Sequence, residues 1–168
     1  MSTVPIGFGC DNHELALYIA NRPPVDDYPT LDHLRPLAAG ELQHIVSHTS
    51  NHWRKVFNVY AKFLFALAPP QVLAAGSWQQ YRDRSLLQLG CTEALLFSAP
   101  DFSRPGTVHI VAGKTYGAQL DLPPLQWLDS HFAVNVEQRL VVCPYPDYRQ
   151  LSNERIDRLV ELVKAFSP

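Results

Sequence analysis

The segment CPYPDYRQLSN, residues 143–153, brings together side chains that could bind a ligand or assist a reaction. It follows the β-prone run RLVV, so its tyrosines, aspartate and arginine come directly after a predicted strand. In open α/β sheets, ligands bind at the carboxyl ends of the strands. The two prolines restrict this loop because each fixes its own φ angle. We therefore expect Tyr145, Asp147 and Arg149 to project toward one place.

The sequence AGKT at residues 112–115 follows another predicted strand and evokes a phosphate-binding loop. That motif requires a glycine five positions before Gly113, where this chain has Val108. A loop that wraps a triphosphate is therefore disfavoured. Lys114 can still contact a single phosphate or carboxylate near a helix N-terminus, and a solvated lysine is the simpler interpretation.

His44, His48 and His52 are spaced four residues apart, which is a spacing that can hold a metal on one helix. However, Thr49-Ser50-Asn51 predicts a new helix start between them, and no HExxH motif occurs. The sequence therefore predicts partly buried or hydrogen-bonded surface histidines, and neither a metal site nor a cofactor.

The segment CDNH at residues 10–13 offers a thiol, a carboxamide and an imidazole. Neighbouring residues rarely reach the geometry of a nucleophile and its base, since catalytic triads are assembled across the fold. No G-x-S-x-G motif is present either. Both observations disfavour a cysteine hydrolase or an α/β-hydrolase.

The composition limits the class of protein. The chain has 168 residues, of which 46% are hydrophobic, which suits a single α/β domain spanning residues 1–168. A net charge of −2 disfavours broad adhesion to nucleic acid or to anionic membranes. Three cysteines without a CxxC pair argue against a zinc ribbon or a disulfide scaffold. With no secretory signal or spanning apolar run visible, a cytoplasmic location is expected.

Strands and helices are predicted to alternate along the chain. Apolar runs predict four strands, at residues 15–20, 94–100, 108–113 and 139–143. Helical periodicity and capping residues predict helices at 41–48, 49–70, 77–90 (ended by Gly90), 122–132 and 152–166, with a short helix or turn after Gly113. Apolar strands that alternate with helices indicate a parallel sheet covered on both faces.

Four segments resemble, in the same order, motifs of the uracil-DNA glycosylase superfamily. LYIANRPP (17–24) is similar to its first motif, a strand that ends in an asparagine–proline turn, and TSNHWRKVFNVY (49–60) is similar to its Asn-x-Phe-Trp segment. VHIVAGKTYG (108–117) and CPYPDYRQLSN (143–153) resemble its last two motifs. The resemblance implies a three-layer α/β/α fold with a central, mostly parallel four-stranded sheet.

The resemblance also implies roles for individual residues. Enzymes of that superfamily flip a base out of the duplex, position water with a first-motif Asp or Asn, and stabilise the departing base with a last-motif His or Asn. Asn21 and Tyr145 correspond to these two catalytic groups, and a phenol can donate one hydrogen bond to a developing anion. The ligand-binding residues implied are Arg22, Lys114, Asp147, Arg149 and Asn153.

Asp147 departs from the superfamily pattern, in which a serine contacts DNA phosphate. A carboxylate at that position would repel phosphate, and Tyr148-Arg149-Gln150 lengthens the loop. The cluster-bearing branches of the superfamily need four cysteines, which three scattered ones cannot supply.

Three interpretations follow. The favoured one is a divergent relative without glycosylase activity, which binds a small ligand or a partner at the strand ends, with an acidic rim from Asp26, Asp27 and Asp147. The alternative is an enzyme of DNA base excision that uses Asn21 and Tyr145, with a basic rim. In the third, the resemblance is chance and CPYPDY is a rigid turn. A small-molecule or nucleobase-like ligand is expected, nucleic acid is disfavoured by the acidic balance, and no membrane partner is expected.

Overall fold

A mixed β-sheet forms the centre of the protein, as seen in a computed structural model that describes residues 4–69, 72, 74–104 and 106–166. Within those residues the sheet has eight strands in the order β3-β1-β4-β2-β5-β8-β7-β6. The strands are β1 (Gly7–Gly9), β2 (Leu15–Tyr18), β3 (Leu34–Arg35), β4 (Glu93–Leu96), β5 (Val108–Ala112), β6 (Gln126–Trp127), β7 (Ala133–Asn135) and β8 (Leu140–Cys143).

Four neighbouring strands of this sheet run parallel to one another. β2 lies between β4 and β5, and β5 pairs with β8, so Tyr18 aligns with Val111 and Ala112 aligns with Cys143. These strands coincide with the four runs from which the sequence predicted strands, and the α/β class is confirmed. The sheet is larger than predicted, since it has eight strands and both parallel and antiparallel pairs.

The additional strands lie toward the edges of the sheet. β1 pairs antiparallel with β4 and parallel with β3. A strand is hard to predict from the sequence GFG, yet the first glycine is required, because a Cβ at Gly7 would lie 2.1 Å from the carbonyl oxygen of Leu95. Glycine therefore lets the backbones of β1 and β4 approach closely.

The helix predicted at residues 122–132 is wrong. Gln126 and Trp127 form β6, which pairs antiparallel with β7, and β7 in turn pairs antiparallel with β8. The carboxylate of Asp129 accepts hydrogen bonds from the backbone N–H groups of His131 and Phe132, at 2.7 and 2.8 Å. Such side-chain bonds stabilise a turn in place of a helix, so this segment turns back on itself.

The helices otherwise follow the predicted order. They are α1 (Glu41–His48), α2 (Asn51–Leu67), α3 (Trp78–Arg84), α4 (Lys114–Gln119) and α5 (Asn153–Lys164). α2 and α5 begin after Ser50 and Ser152, which are predicted N-cap positions, although neither serine side chain makes a capping hydrogen bond. α3 ends at Arg84, well before Gly90, because Ser85 leaves the helical region and Leu87 has a φ of 61°. Pro70, in the predicted helix at 49–70, lies outside the described residues.

Apolar side chains cover both faces of the sheet. On one face Leu17, Ile110 and Val141 pack with buried residues of α2 and α5. On the other face Tyr18, Val111 and Val142 belong to a second cluster, against which Tyr116, Leu120 and Phe102 pack. Successive strand residues thus point to opposite cores, which explains why the central strands are mainly apolar, with Glu93 and His109 as buried exceptions.

Among the helices that the structure describes, none is both long and apolar enough to cross a membrane.

Candidate functional site

A cavity of about 520 Å³ opens at the carboxyl ends of β2, β5 and β8. This volume lies within the range of small-molecule sites, which are usually a few hundred to about a thousand Å³. Its walls include Asn21 after β2, Gly113 and Lys114 after β5, and Tyr145 after β8. Parallel pairing brings these three loops to one edge of the sheet, so segments more than 120 positions apart in sequence meet there.

Tyr145 is the central polar side chain of the cavity wall. Its phenolic oxygen lies 2.6 Å from Nε2 of His52 and 3.4 Å from the amide nitrogen of Asn21, which donates to it. The rings of His52 and Tyr145 also stack, with centroids 5.3 Å apart and planes 19° apart. α2 therefore supplies His52 as a third polar group beside Asn21 and Tyr145, which follow β2 and β8.

Burial keeps this array uncharged. It raises the pKa of the Tyr145 phenol, despite the hydrogen bond from Asn21. It lowers the pKa of His52, and Lys55 lowers it further, while Asp147 opposes the shift. At neutral pH the array thus consists of a neutral imidazole, a neutral phenol and a carboxamide.

Two tautomers of His52 give this array different chemistry. When Nε2 is the acceptor, the phenol donates its single proton to the imidazole and has only lone pairs left for a ligand. When Nε2 carries the proton, it donates to the phenolic oxygen together with Asn21, and the phenol is free to donate to a ligand. The tautomer therefore decides whether Tyr145 can stabilise a negative charge.

Gly113 and Lys114 form the wall contributed by β5. Gly113 has a φ of 100°, which favours glycine, and a Cβ built there would lie 3.9 Å from Cδ2 of Tyr145. The ammonium of Lys114 lies 4.9 Å from the ring centroid of Trp127. This cation–π contact is a modest attraction that holds the lysine beside the cavity.

The cavity lining includes further polar groups, which are Thr115, Gln119, Ser130, His131 and Gln150. Nε2 of His131 lies 3.0 Å from a guanidinium nitrogen of Arg155. Lys114 and His131 are thus the basic residues of the lining, and no carboxylate lines the cavity within the described ranges. The cavity therefore suits a neutral or anionic ligand better than a cationic one.

Asp147 and Arg149 pair with each other instead of lining the cavity. The carboxylate of Asp147 accepts from the backbone N–H of Arg149 at 2.9 Å and from its guanidinium at 3.1 and 3.3 Å. Lys55 lies 3.7 Å from the same carboxylate. Hydrogen bonding to Arg149 holds the pKa of Asp147 below its usual value. Asp147 is only 7% exposed, so its charge is neutralised within the loop.

Two further predicted ligand-binding residues lie apart from the cavity lining. Arg22 donates hydrogen bonds to the carbonyl oxygens of Tyr28 and Leu31, at 3.3 and 2.9 Å, and so fixes the loop that follows β2. Asn153 is the exposed first residue of α5 and does not line the cavity. Among the predicted site residues, the structure therefore brings together Asn21, Lys114 and Tyr145.

The three evenly spaced histidines do not share a site. The rings of His44 and His48 are 4.3 Å apart, and Nε2 of His44 lies 2.7 Å from the carboxylate of Asp26. His52 instead contacts Tyr145. Among the described side chains, no cluster of three or more histidines, cysteines or carboxylates is arranged to hold a metal ion.

Sequence reasoning missed the pairing of His52 with Tyr145 and the position of His131. The sequence spacing groups His52 with His44 and His48, whereas in the fold its ring contacts Tyr145, 93 positions away. His131 fell in the segment that was predicted to be a helix. The available signal was a histidine at the N-terminus of a long amphipathic helix.

Comparison with known proteins identifies the family. The chain belongs to a family of unknown function (DUF6942), whose match spans residues 6–164. No curated protein and no solved structure matches the chain. Family membership therefore assigns no activity, and the resemblance to the uracil-DNA glycosylase superfamily stays a hypothesis.

Proposed function

We propose that this protein binds a small planar ligand of the nucleobase class in the cavity at the carboxyl ends of β2, β5 and β8, without excising bases from DNA. The proposal includes descent from the uracil-DNA glycosylase superfamily and a three-layer α/β/α arrangement. One observation carries it: Asn21 and Tyr145, the two residues that resemble catalytic groups of that superfamily, are in contact on the wall of one cavity.

The chemistry of Asn21 fits an exposed nucleobase edge. A carboxamide offers a donor and an acceptor side by side, which matches the paired groups on the edge of a uracil or a purine. Asn21 is exposed at the cavity mouth and uses its amide nitrogen on Tyr145. Gly113 has no side chain, so it does not cover the neighbouring phenol ring of Tyr145.

Three features argue against base excision. The described lining contains no carboxylate that could activate water. Asp147 stands where the superfamily has a phosphate-contacting serine, and its charge is directed to Arg149 and Lys55. Arg22, which would extend a basic rim, is bound to backbone carbonyls instead. Asp147 and Arg22 thus add no free positive charge for a DNA backbone, which binds mainly through lysine and arginine contacts.

An active enzyme of DNA base excision is the second candidate. One observation favours it: Asn21 donates to the phenolic oxygen of Tyr145, and if Nε2 of His52 also donates, the phenol must direct its proton elsewhere. It could then stabilise the negative charge on a departing base. In that mechanism Asn21 would position the water.

Calorimetric titration tests the binding proposal, with uracil, hypoxanthine and xanthine as the probes. We expect saturable binding of at least one base, and Asn21→Ala should weaken it on the order of tenfold, the usual cost of one hydrogen bond. Asn12→Ala is the matched control, because Asn12 is exposed in a turn at the opposite end of β2. Absence of binding by all three bases, or equal weakening by both variants, would refute the proposal.

Oligonucleotides that contain uracil, hypoxanthine or xanthine separate the two candidates. A non-excising protein leaves them intact, whereas an enzyme of base excision produces abasic sites. If abasic sites form, Tyr145→Phe should slow their formation at least tenfold, since a single charge-stabilising donor is typically worth that much or more. An unchanged rate in that variant would exclude the phenol as the stabilising group.

A further inference from the structure

The thiols of Cys10 and Cys91 lie close together, although they are 81 positions apart in the chain. Their sulfur atoms are 3.5 Å apart. Cys10 follows β1 and Cys91 precedes β4, and these two strands pair antiparallel with Gly9 opposite Ala94. The strand ladder therefore holds the two cysteine-bearing loops against each other, at the edge of the sheet opposite the ligand cavity.

The two thiols have different surroundings. Cys10 is partly exposed and lies beside a turn, with its sulfur 3.9 Å from the carbonyl oxygen of Gln88. Cys91 is only 8% exposed, and its thiol donates to the carbonyl oxygen of Glu93 at 3.4 Å. Burial and the nearby carboxyl of Glu93 raise the pKa of the Cys91 thiol. An external reagent would consequently react at Cys10 first.

Cys91 also borders a second cavity, of about 360 Å³, which is lined by residues of the segments 37–39 and 81–93. A disulfide requires the sulfur atoms to close from 3.5 Å to about 2.05 Å. Because Cys10 and Cys91 both lie in loops outside the strands, that closure leaves the β1–β4 ladder intact.

We propose that Cys10 and Cys91 form a reversible dithiol–disulfide pair that exchanges with low-molecular-mass disulfides. In the first step the Cys10 thiolate attacks one sulfur of the reagent, forms a mixed disulfide and releases one thiolate, which takes up a proton. In the second step the Cys91 thiolate attacks the sulfur of Cys10 and displaces the second small thiol. Two protein thiols are oxidised, and the reagent is reduced to two thiols.

The bond would connect β1 to β4 across a long stretch of sequence. A disulfide that closes a long loop restricts the unfolded chain, so it stabilises the folded protein as long as the native geometry accommodates it. The oxidised protein should therefore unfold at a higher temperature than the reduced one. Ligand binding should be the same in both forms, because the ligand cavity lies at the other end of the strands.

Oxidised glutathione tests the proposal on the folded full-length chain. After incubation, mass spectrometry should show a loss of about 2 Da, the two thiol hydrogens, with no retained glutathione. Peptide mapping should join the peptide that contains Cys10 to the peptide that contains Cys91, while the buried Cys143 stays reduced. Dithiothreitol should reverse both the linkage and the upward shift of the unfolding temperature.

Single serine variants resolve the two steps. Cys91→Ser should stop at a glutathione adduct on Cys10, whereas Cys10→Ser should react much more slowly. The unmutated chain alone can overturn the proposal, so its test does not depend on whether the variants fold. A stable glutathione adduct on Cys10 beside a free Cys91, a linkage to Cys143, or no oxidation of the folded protein would each do so.

Discussion

The phenolic oxygen of Tyr145 and Nε2 of His52 are 2.6 Å apart, across 93 positions of sequence. The contact joins the loop after β8 to the first turn of α2, and their rings stack beside it. It therefore connects the position of α2 to the polar wall of the cavity at the carboxyl ends of β2, β5 and β8. The same bond decides whether the phenol can donate a hydrogen bond to another group. If Nε2 of His52 accepts, the phenolic proton is used on His52, and if Nε2 donates, that proton is free.

Tyr145→Phe should leave His52 without this partner. We expect the free energy of unfolding to fall by about 1 kcal/mol, the usual net contribution of such a hydrogen bond. Denaturant titration at neutral pH measures it. Tyr148→Phe is the matched control, because Tyr148 is exposed and lies outside the cavity lining. Equal stability of the wild-type protein and the Tyr145 variant would show that the bond contributes nothing.

The tautomer of His52 can be measured directly. ¹⁵N chemical shifts of the imidazole distinguish a protonated from an unprotonated Nε2. A non-excising binding protein is expected to have Nε2 as the acceptor, with the proton on Nδ1. A protonated Nε2 would instead support the second candidate function, because it frees the phenolic proton of Tyr145 for a departing base.

Lys114 should contribute to the binding of ligands that carry an anionic group. Lys114→Met is expected to weaken uridine monophosphate binding about fivefold, roughly 1 kcal/mol for one partly exposed charge contact. Binding of free uracil should change little. Lys62→Met is a close control, since Lys62 makes a similar contact with Trp78, 5.2 Å from its ring centroid, away from the cavity. Equal losses in both variants would exclude a direct role for Lys114.

Much of this site could be predicted because parallel strands impose simple geometry. Strand ends that carry Asn21, Gly113 and Tyr145 must meet at one edge when β2, β5 and β8 pair parallel. What could not be predicted is the direction of long side chains. Arg22 reaches backbone carbonyls and Arg149 reaches Asp147, and several rotamers of each arginine were compatible with the sequence.

The outer strands were missed for a different reason. β3 and β6 have two residues each, which is too short for a periodic pattern to be recognised. β1 consists of Phe8 between two glycines, and glycine weakens any strand prediction. The turn after β6 depends on the hydrogen bonds of Asp129, whose apolar neighbours Leu128 and Phe132 also fit a helical spacing.

Asp147→Asn should destabilise the loop after β8. The buried carboxylate neutralises Arg149 and Lys55, and removal of its charge should lower the free energy of unfolding by about 2 kcal/mol at pH 7. Because the folded pKa is depressed below 3.8, this contribution is present above that pH and is lost as the pH falls further. The free energies of unfolding of the wild-type protein and Asp147→Asn should therefore become more similar under acid conditions. Asp157→Asn, an exposed change in α5, should have little effect at either pH.

A buried imidazole predicts a loss of stability under mildly acidic conditions. His109 is 1% exposed, and its Nδ1 lies 2.7 Å from the hydroxyl of Tyr18. Burial, with smaller contributions from His13 and Arg104, lowers the pKa of His109 from 6.5 to about 4. Between these two values the unfolded chain binds more protons than the folded one, so stability falls as the pH decreases from 6.5 toward 4.

The size of this loss can be tested with a matched pair of variants. The shift from 6.5 to about 4 corresponds to roughly 3 kcal/mol across the full range, at 1.36 kcal/mol per pKa unit. Unfolding titrations at pH 7.5, 5.5 and 4.5 measure it. His109→Gln should reduce the dependence of the free energy of unfolding on pH. Part of the dependence should remain, because burial also lowers the pKa of His13. His33→Gln, a change at an exposed histidine, is the control and should leave the dependence unchanged. If the slope of His109→Gln equals that of the wild-type protein, His109 already titrates normally in the folded state and the buried neutral imidazole is excluded.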